Sequence, residues 1–146
     1  MTAKKGQLVY EDVAVDMEIP PLVKRTTRRQ LVQWAGASGD FYEIHYDKDF
    51  AIASGLPDVI LHGRLKAAYL GQMLTDWIGA EGTLKKFNVR YRGMDVPDQD
   101  LTCKGKVTKK YLQDNERLVE LDIWTENARG ERTVTGTALV SLPSRD

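Results

Sequence analysis

The second half of the chain alternates between apolar and polar positions. Phe87, Val89 and Tyr91 are separated by Asn88, Arg90 and Arg92, and Leu101, Cys103, Gly105 and Val107 by Thr102, Lys104 and Lys106. Val119, Leu121 and Ile123 repeat the pattern, as do Val134, Gly136, Ala138, Val140 and Leu142. A period of two puts alternate side chains on opposite faces, so each run predicts a half-buried strand. Turn residues at Pro97-Asp98, Asp114-Asn115 and Arg129-Gly130 separate the runs, which predicts a four-strand antiparallel meander.

Ahead of the strands the period lengthens. Leu65, Tyr69 and Met73 recur every fourth residue, and Leu70, Leu74, Trp77 and Ile78 widen the apolar surface. With Ala67 and Ala68 on further faces, this predicts a buried helix from Gly63 to Ile78 that is apolar over most of its circumference, stopped at Gly79. Thr26 or Thr27 is a candidate N-cap for a helix over 28–37 that ends near Ser38-Gly39. Asp47 caps a short helix over Lys48–Ala53, and Gly55 and Pro57 turn the chain afterwards. Glu11–Asp16 alternates weakly, as a short strand does. The paired prolines Pro20-Pro21 restrict Glu18–Arg25 to an edge strand or an extended lead-in. Residues 1–9 read as a loose N-terminal leader. A long buried helix followed by strands that are apolar on one face predicts one α+β domain over residues 1–146, with an antiparallel sheet wrapped around the helix. Such a sheet has open edges, which dimerisation covers.

Composition narrows the function classes. The 146 residues are 42% hydrophobic and carry 21 basic and 21 acidic side chains, so no net field draws the chain to nucleic acid or to an anionic membrane. The local run Lys104–Lys110 reads as the solvated face of a strand. Cys103 is the single cysteine, expected as a small buried residue; it cannot form an internal disulfide or anchor a metal cluster. The first residues lead into no apolar stretch of signal-peptide type, and no run approaches the roughly 20 apolar residues a bilayer crossing needs. A soluble, cytoplasmic protein is the expectation.

The two histidines hold the candidate chemistry. His45 follows Asp40 by five residues in Ser38-Gly39-Asp40-Phe41-Tyr42-Glu43-Ile44-His45, and His62 stands in Ile60-Leu61-His62-Gly63-Arg64-Leu65, where the long helix begins. Taken alone, each has an ordinary structural use. Asp40 suits an Asx-turn, His45 a local hydrogen bond, and His62 capping or packing. The alternative is an acid/base pair in the first stretch and an anion-stabilising helix end in the second.

Together the two stretches resemble the S-G-D-x-N-P-x-H signature and the A-H-G-M-L helix start of the MaoC-like hydratases, the R-specific enoyl-thioester hydratases and dehydratases of the hot-dog fold. The order of elements is similar across nearly the whole chain. This chain departs from the pattern at Tyr42-Glu43, where the family has Asn-Pro, and at Arg64, where methionine is common. The resemblance implies catalysis by Asp40 and His45 on a shared water and an oxyanion site at the Gly63 backbone N–H. It implies no cofactor and no metal. Tyr42, His62 and Arg64 are left for supporting or substrate-lining roles: Tyr42 in packing or gating, because a phenol with a pKa near 10 is a poor base, and Arg64 in a surface salt bridge. The implied substrate is an acyl-CoA or acyl-carrier-protein thioester. The implied assembly is a homodimer, or a heterodimer with a sister chain that lacks the pair. Thioester hydrolysis by a hot-dog thioesterase, or a subunit inactive alone, is the alternative.

Overall fold

A computed structural model describes residues 5–146. Five strands form one antiparallel sheet: β1 (Leu22–Arg25), β2 (Thr83–Tyr91), β3 (Asp100–Gln113), β4 (Glu116–Glu126) and β5 (Arg132–Ser141). Three helices precede β2: α1 (Arg28–Ser38), α2 (Lys48–Ala53) and α3 (Gly63–Ile78). The sheet curls over α3. Leu70, Met73, Leu74 and Ile78 pack into Val107, Val119, Leu121, Ile123 and Val140 to form the main core. Each such side chain withdrawn from water stabilises the fold by about 1.5–3 kcal/mol. A second core, Leu31, Ala51, Val59, Leu61, Leu65 and Leu101, seats α1 and α2 beside the start of α3.

The helices begin and end where the sequence predicts. Thr27 accepts the Gln30 N–H, Asp47 accepts the Phe50 N–H, and α3 stops at Gly79. One detail of α3 differs. Its buried side carries Leu65, Lys66, Leu70, Met73, Leu74 and Ile78, while Arg64, Ala68, Gln72 and Asp76 are exposed. The sheet covers the helix from one side, so the apolar surface is a broad stripe and not a full circumference.

The strands are found, but the simple meander is not. The order is β1-β3-β4-β5-β2. β3, β4 and β5 do follow as hairpins; Asp114 and Asn115 both take positive φ (51° and 62°), which is the backbone of a type I′ turn. β2 instead pairs with β5, and the connection from β2 to β3 crosses to the far side of the sheet. No tight turn can join those two strands, because β5 and β4 lie between them; the connection, residues 92–99, is bonded to α3 through the buried side chain of Asp95. The proline-led segment supplies the fifth strand, β1, on the edge beside β3.

The N-terminal expectations change as well. Over Glu11–Asp16 the chain makes a 3-10 turn at Tyr10–Asp12 and no strand. Val9 and Val13 are both buried, and their spacing of four suits a helical turn, not a period of two. Of the leader expected over residues 1–9, residues 1–4 lie outside the described residues. The rest is tied down: Gln7 donates to the Ile78 carbonyl at 2.6 Å and Val9 enters the core. Lys110 joins in. Far from being solvated, its ammonium donates to the Tyr10 and Val13 carbonyls at 2.9 and 2.6 Å, over the Tyr10 ring. Cys103 is buried, and desolvation pushes its thiol up to about 12. No helix among the described residues is long and apolar enough to cross a membrane.

Candidate active site

Asp40 is delivered by the end of α1. Gly39 adopts the left-handed conformation (φ 77°), which favours glycine, and its N–H returns to the Ala35 carbonyl at 2.9 Å. The Ser38 hydroxyl donates to the Trp34 carbonyl at 2.6 Å and accepts the Asp40 N–H at 3.2 Å. One carboxylate oxygen, Oδ1, accepts the Tyr42 N–H at 3.4 Å, an Asx-type contact. The other, Oδ2, faces His45, and the side chain is 42% exposed.

His45 closes a 3-10 turn over Glu43–His45, and its side chain is only 9% exposed. Its Nδ1 lies 2.8 Å from the Ile60 carbonyl oxygen. A carbonyl can only accept, so Nδ1 carries the proton and the lone pair of the neutral ring sits on Nε2. Nε2 is 3.9 Å from Asp40 Oδ2. That is too long for a direct hydrogen bond and short enough for one water to bond both groups.

His62, the residue before α3, is fully buried, and its ring stacks on that of His45 with centroids 3.8 Å apart and planes 20° from parallel. Its Nε2–H donates to the Asp40 carbonyl at 3.1 Å, and Nδ1 is buried without a hydrogen-bond partner among the described residues. Burial lowers its pKa from the ordinary histidine value; the bond to the Asp40 carbonyl opposes the shift and the nearby His45 adds to it. That bond and the ring stack join the Asp40–His45 loop to the start of α3. Donor atoms of Asp40, His45 and His62 gather within 4.8 Å of one another. The stacked rings do not suit shared ligation, since an ion in the plane of one imidazole lies well out of the plane of the other.

Gly63 opens α3, where the first backbone N–H groups have no intrahelical acceptor and carry partial positive charge. A Cβ there would stand 3.0 Å from two ring atoms of Tyr91, so any other residue would need that ring to shift by a few tenths of an ångström. Tyr42 is 53% exposed and makes edge contacts to His45 and Phe50, with centroids 6.2 and 6.1 Å apart. Arg64 is exposed, and the expected salt bridge is not made among the described residues, because it points from the outer side of α3.

Sequence reasoning missed the strap between the two histidines. Residues 58–62 run beside Asp40 and His45, the candidate dyad. Arg28 clamps one end through two bonds to Asp58, at 2.8 and 2.5 Å, and these hold that carboxyl down to about 2. At the other end stands a buried ion pair, Lys66 with Asp95 at 2.8 Å. The signal was available: Lys66 is a charge on the apolar stripe of α3, one turn beyond His62.

A cavity of about 650 Å³ lies elsewhere, on the outer face of the sheet, lined by Arg90, Arg92, Trp124 and Arg132 among others. Asp40, His45 and His62 do not line it.

A protein-family model described as MaoC like domain matches residues 13–128. The 3-oxo-4,17-pregnadiene-20-carboxyl-CoA hydratase beta subunit of Mycobacterium tuberculosis is 28% identical over 116 residues, spanning 80% of this chain and 84% of that protein. Among solved structures, a chain of the ChsH1–ChsH2 complex from the same organism superposes with a TM-score of 0.77 at 25% identity, over 89% of this chain and 98% of that one. The R-hydratase PhaJ1 of Pseudomonas aeruginosa, at 22% identity, shares the fold with a TM-score of 0.85, over 94% and 87%. The curled sheet and its helix are thus the hot-dog fold.

Proposed function

Because the chain belongs to the MaoC-like dehydratase family, we propose that it adds water across the double bond of a 2-enoyl thioester and, in reverse, dehydrates the R-3-hydroxyacyl thioester. The observation that carries this is the 3.9 Å gap between His45 Nε2 and Asp40 Oδ2, with the opposite ring nitrogen locked onto a carbonyl. A water in that gap gives one proton to Nε2 and is oriented through the other by Oδ2. Its oxygen bonds to the β-carbon of the enoyl group. Electrons of the double bond move to the thioester oxygen, and the imidazolium then returns the proton to the α-carbon. Positioned proton transfer of this kind contributes about 10²–10⁴-fold. The transient oxyanion is met by backbone N–H groups at the start of α3, Gly63 first; one such donor is worth about 3–4 kcal/mol. His62 links this helix end to the Asp40 loop, which keeps the two halves of the site adjacent.

The carrier is CoA or an acyl-carrier protein; the mycobacterial relative, named for a CoA ester, favours the first. That relative is a subunit, and half-exposed Phe41, Tyr42, Tyr91 and Met94 lie on or beside the site elements, which supports a second copy or a sister chain completing the acyl tunnel. Crotonyl-CoA tests the reaction. Loss of the enoyl absorbance without release of free thiol is expected. Thiol release at the same rate means hydrolysis and overturns the proposal.

A further inference from the structure

A lysine ammonium is almost never fully buried unless it is paired. Lys66 is such a case. It sits on α3 one turn beyond His62, its side chain is 2% exposed, and Nζ donates to the Gly93 carbonyl at 2.9 Å and to Asp95 Oδ2 at 2.8 Å. These two bonds fasten the connection between β2 and β3 onto the helix. The same connection holds the strap, for the Asp95 carbonyl accepts the Leu61 N–H at 2.8 Å. The neighbouring Ile60 donates its N–H to the Ile44 carbonyl at 3.1 Å, and its own carbonyl accepts the proton on His45 Nδ1. Three hydrogen bonds, joined covalently through Asp95 and through the Ile60–Leu61 peptide, therefore connect the buried ammonium to the imidazole of the dyad.

We propose that the Lys66–Asp95 pair is a positioning device for His45: it fixes residues 60–61 so that the Ile60 carbonyl dictates which ring nitrogen carries the proton and where Nε2 points. The proposal rests on the assignment of His45 as the base. Stability alone is a weak reason for the pair, since a buried ion pair commonly adds little over an apolar pair of the same size. What it adds is direction. Two bonds of set geometry are placed on a loop without regular secondary structure, and the acceptor so held belongs to the neighbour of a residue that loop fixes. A base displaced by about 1 Å from its proton loses on the order of a hundredfold in rate.

The test uses the full chain with Lys66→Met and Asp95→Asn together, so that no unpaired charge is left buried. The tautomer of His45 is read from the ¹⁵N spectrum of labelled imidazoles, and kcat and KM are measured on crotonyl-CoA. The expected result is a change from one Nδ1-protonated form to a mixture of tautomers, with kcat lowered by about tenfold or more and KM unchanged within about twofold. A folded variant that keeps the single tautomer overturns the proposal. Asp95→Asn alone is read the same way where the double variant does not fold. The tautomer needs no turnover, so a chain inactive on enoyl thioesters refutes the functional assignment and still leaves the positioning question decided by the spectrum.

Discussion

Replacing His45 with asparagine lowers turnover on an enoyl thioester by about 10²–10⁴-fold and moves the melting temperature by only a few degrees. The choice of substituent follows from the hydrogen bonds. Nδ1–H of His45 satisfies the Ile60 carbonyl, and an asparagine amide N–H can occupy much the same place. What is lost is Nε2, the lone pair aimed at the gap beside Asp40. Alanine is a poorer test: it leaves a buried carbonyl unpaired, which costs about 1–3 kcal/mol and mixes a stability effect into the rate. Asp40→Asn keeps the contact with the Tyr42 N–H and removes the charge that orients the water, so it falls in the same range. The two measurements are initial rate on crotonyl-CoA and a thermal melt of each variant. A variant with parental turnover and a collapsed melt would mean that His45 serves the fold.

The converse is expected in the core. Leu74→Ala destabilises the protein by about 2–5 kcal/mol through lost burial and the cavity left behind. Leu74 is fully buried on the α3 face that meets the sheet, with Leu70 and Ile78 as neighbours on the same stripe. Trp77, larger and on the same helix, is only partly buried, so its truncation opens part of its volume to water and costs less. Urea unfolding of Leu74→Ala gives the loss. Turnover per folded molecule stays parental, because the residue is three helical turns from Gly63 and touches none of the dyad.

The contrast shows what the sequence could and could not reveal. The course of α3 was legible because a period of four over sixteen residues has one physical solution, and Asp40 with His45 because both fall in a motif whose spacing survives. Strand order was not legible. Alternation assigns a face to Phe87 or Val119 but says nothing of neighbours, and here β2 lies beside β5, with the segment after it crossing over α3 and bonded there through Asp95. The tautomer of His45 was hidden for a related reason: it is set by a main-chain carbonyl at Ile60, fifteen residues away, and a carbonyl leaves no mark in the residue alphabet. Lys110 misled through composition, since a lysine in a basic run looks solvated until the two carbonyls it binds are seen.

The stereochemical course of hydration bears most directly on the claim that one water is held between Asp40 and His45. Crotonyl-CoA is hydrated in D₂O, and the product is analysed for its configuration at C3 and for the face of C2 that received deuterium. A water and a proton that both come from one imidazole and one carboxylate must arrive on the same face. The account predicts R-3-hydroxybutyryl-CoA with deuterium added syn to the hydroxyl. An S product, or deuterium added from the opposite face, would contradict it.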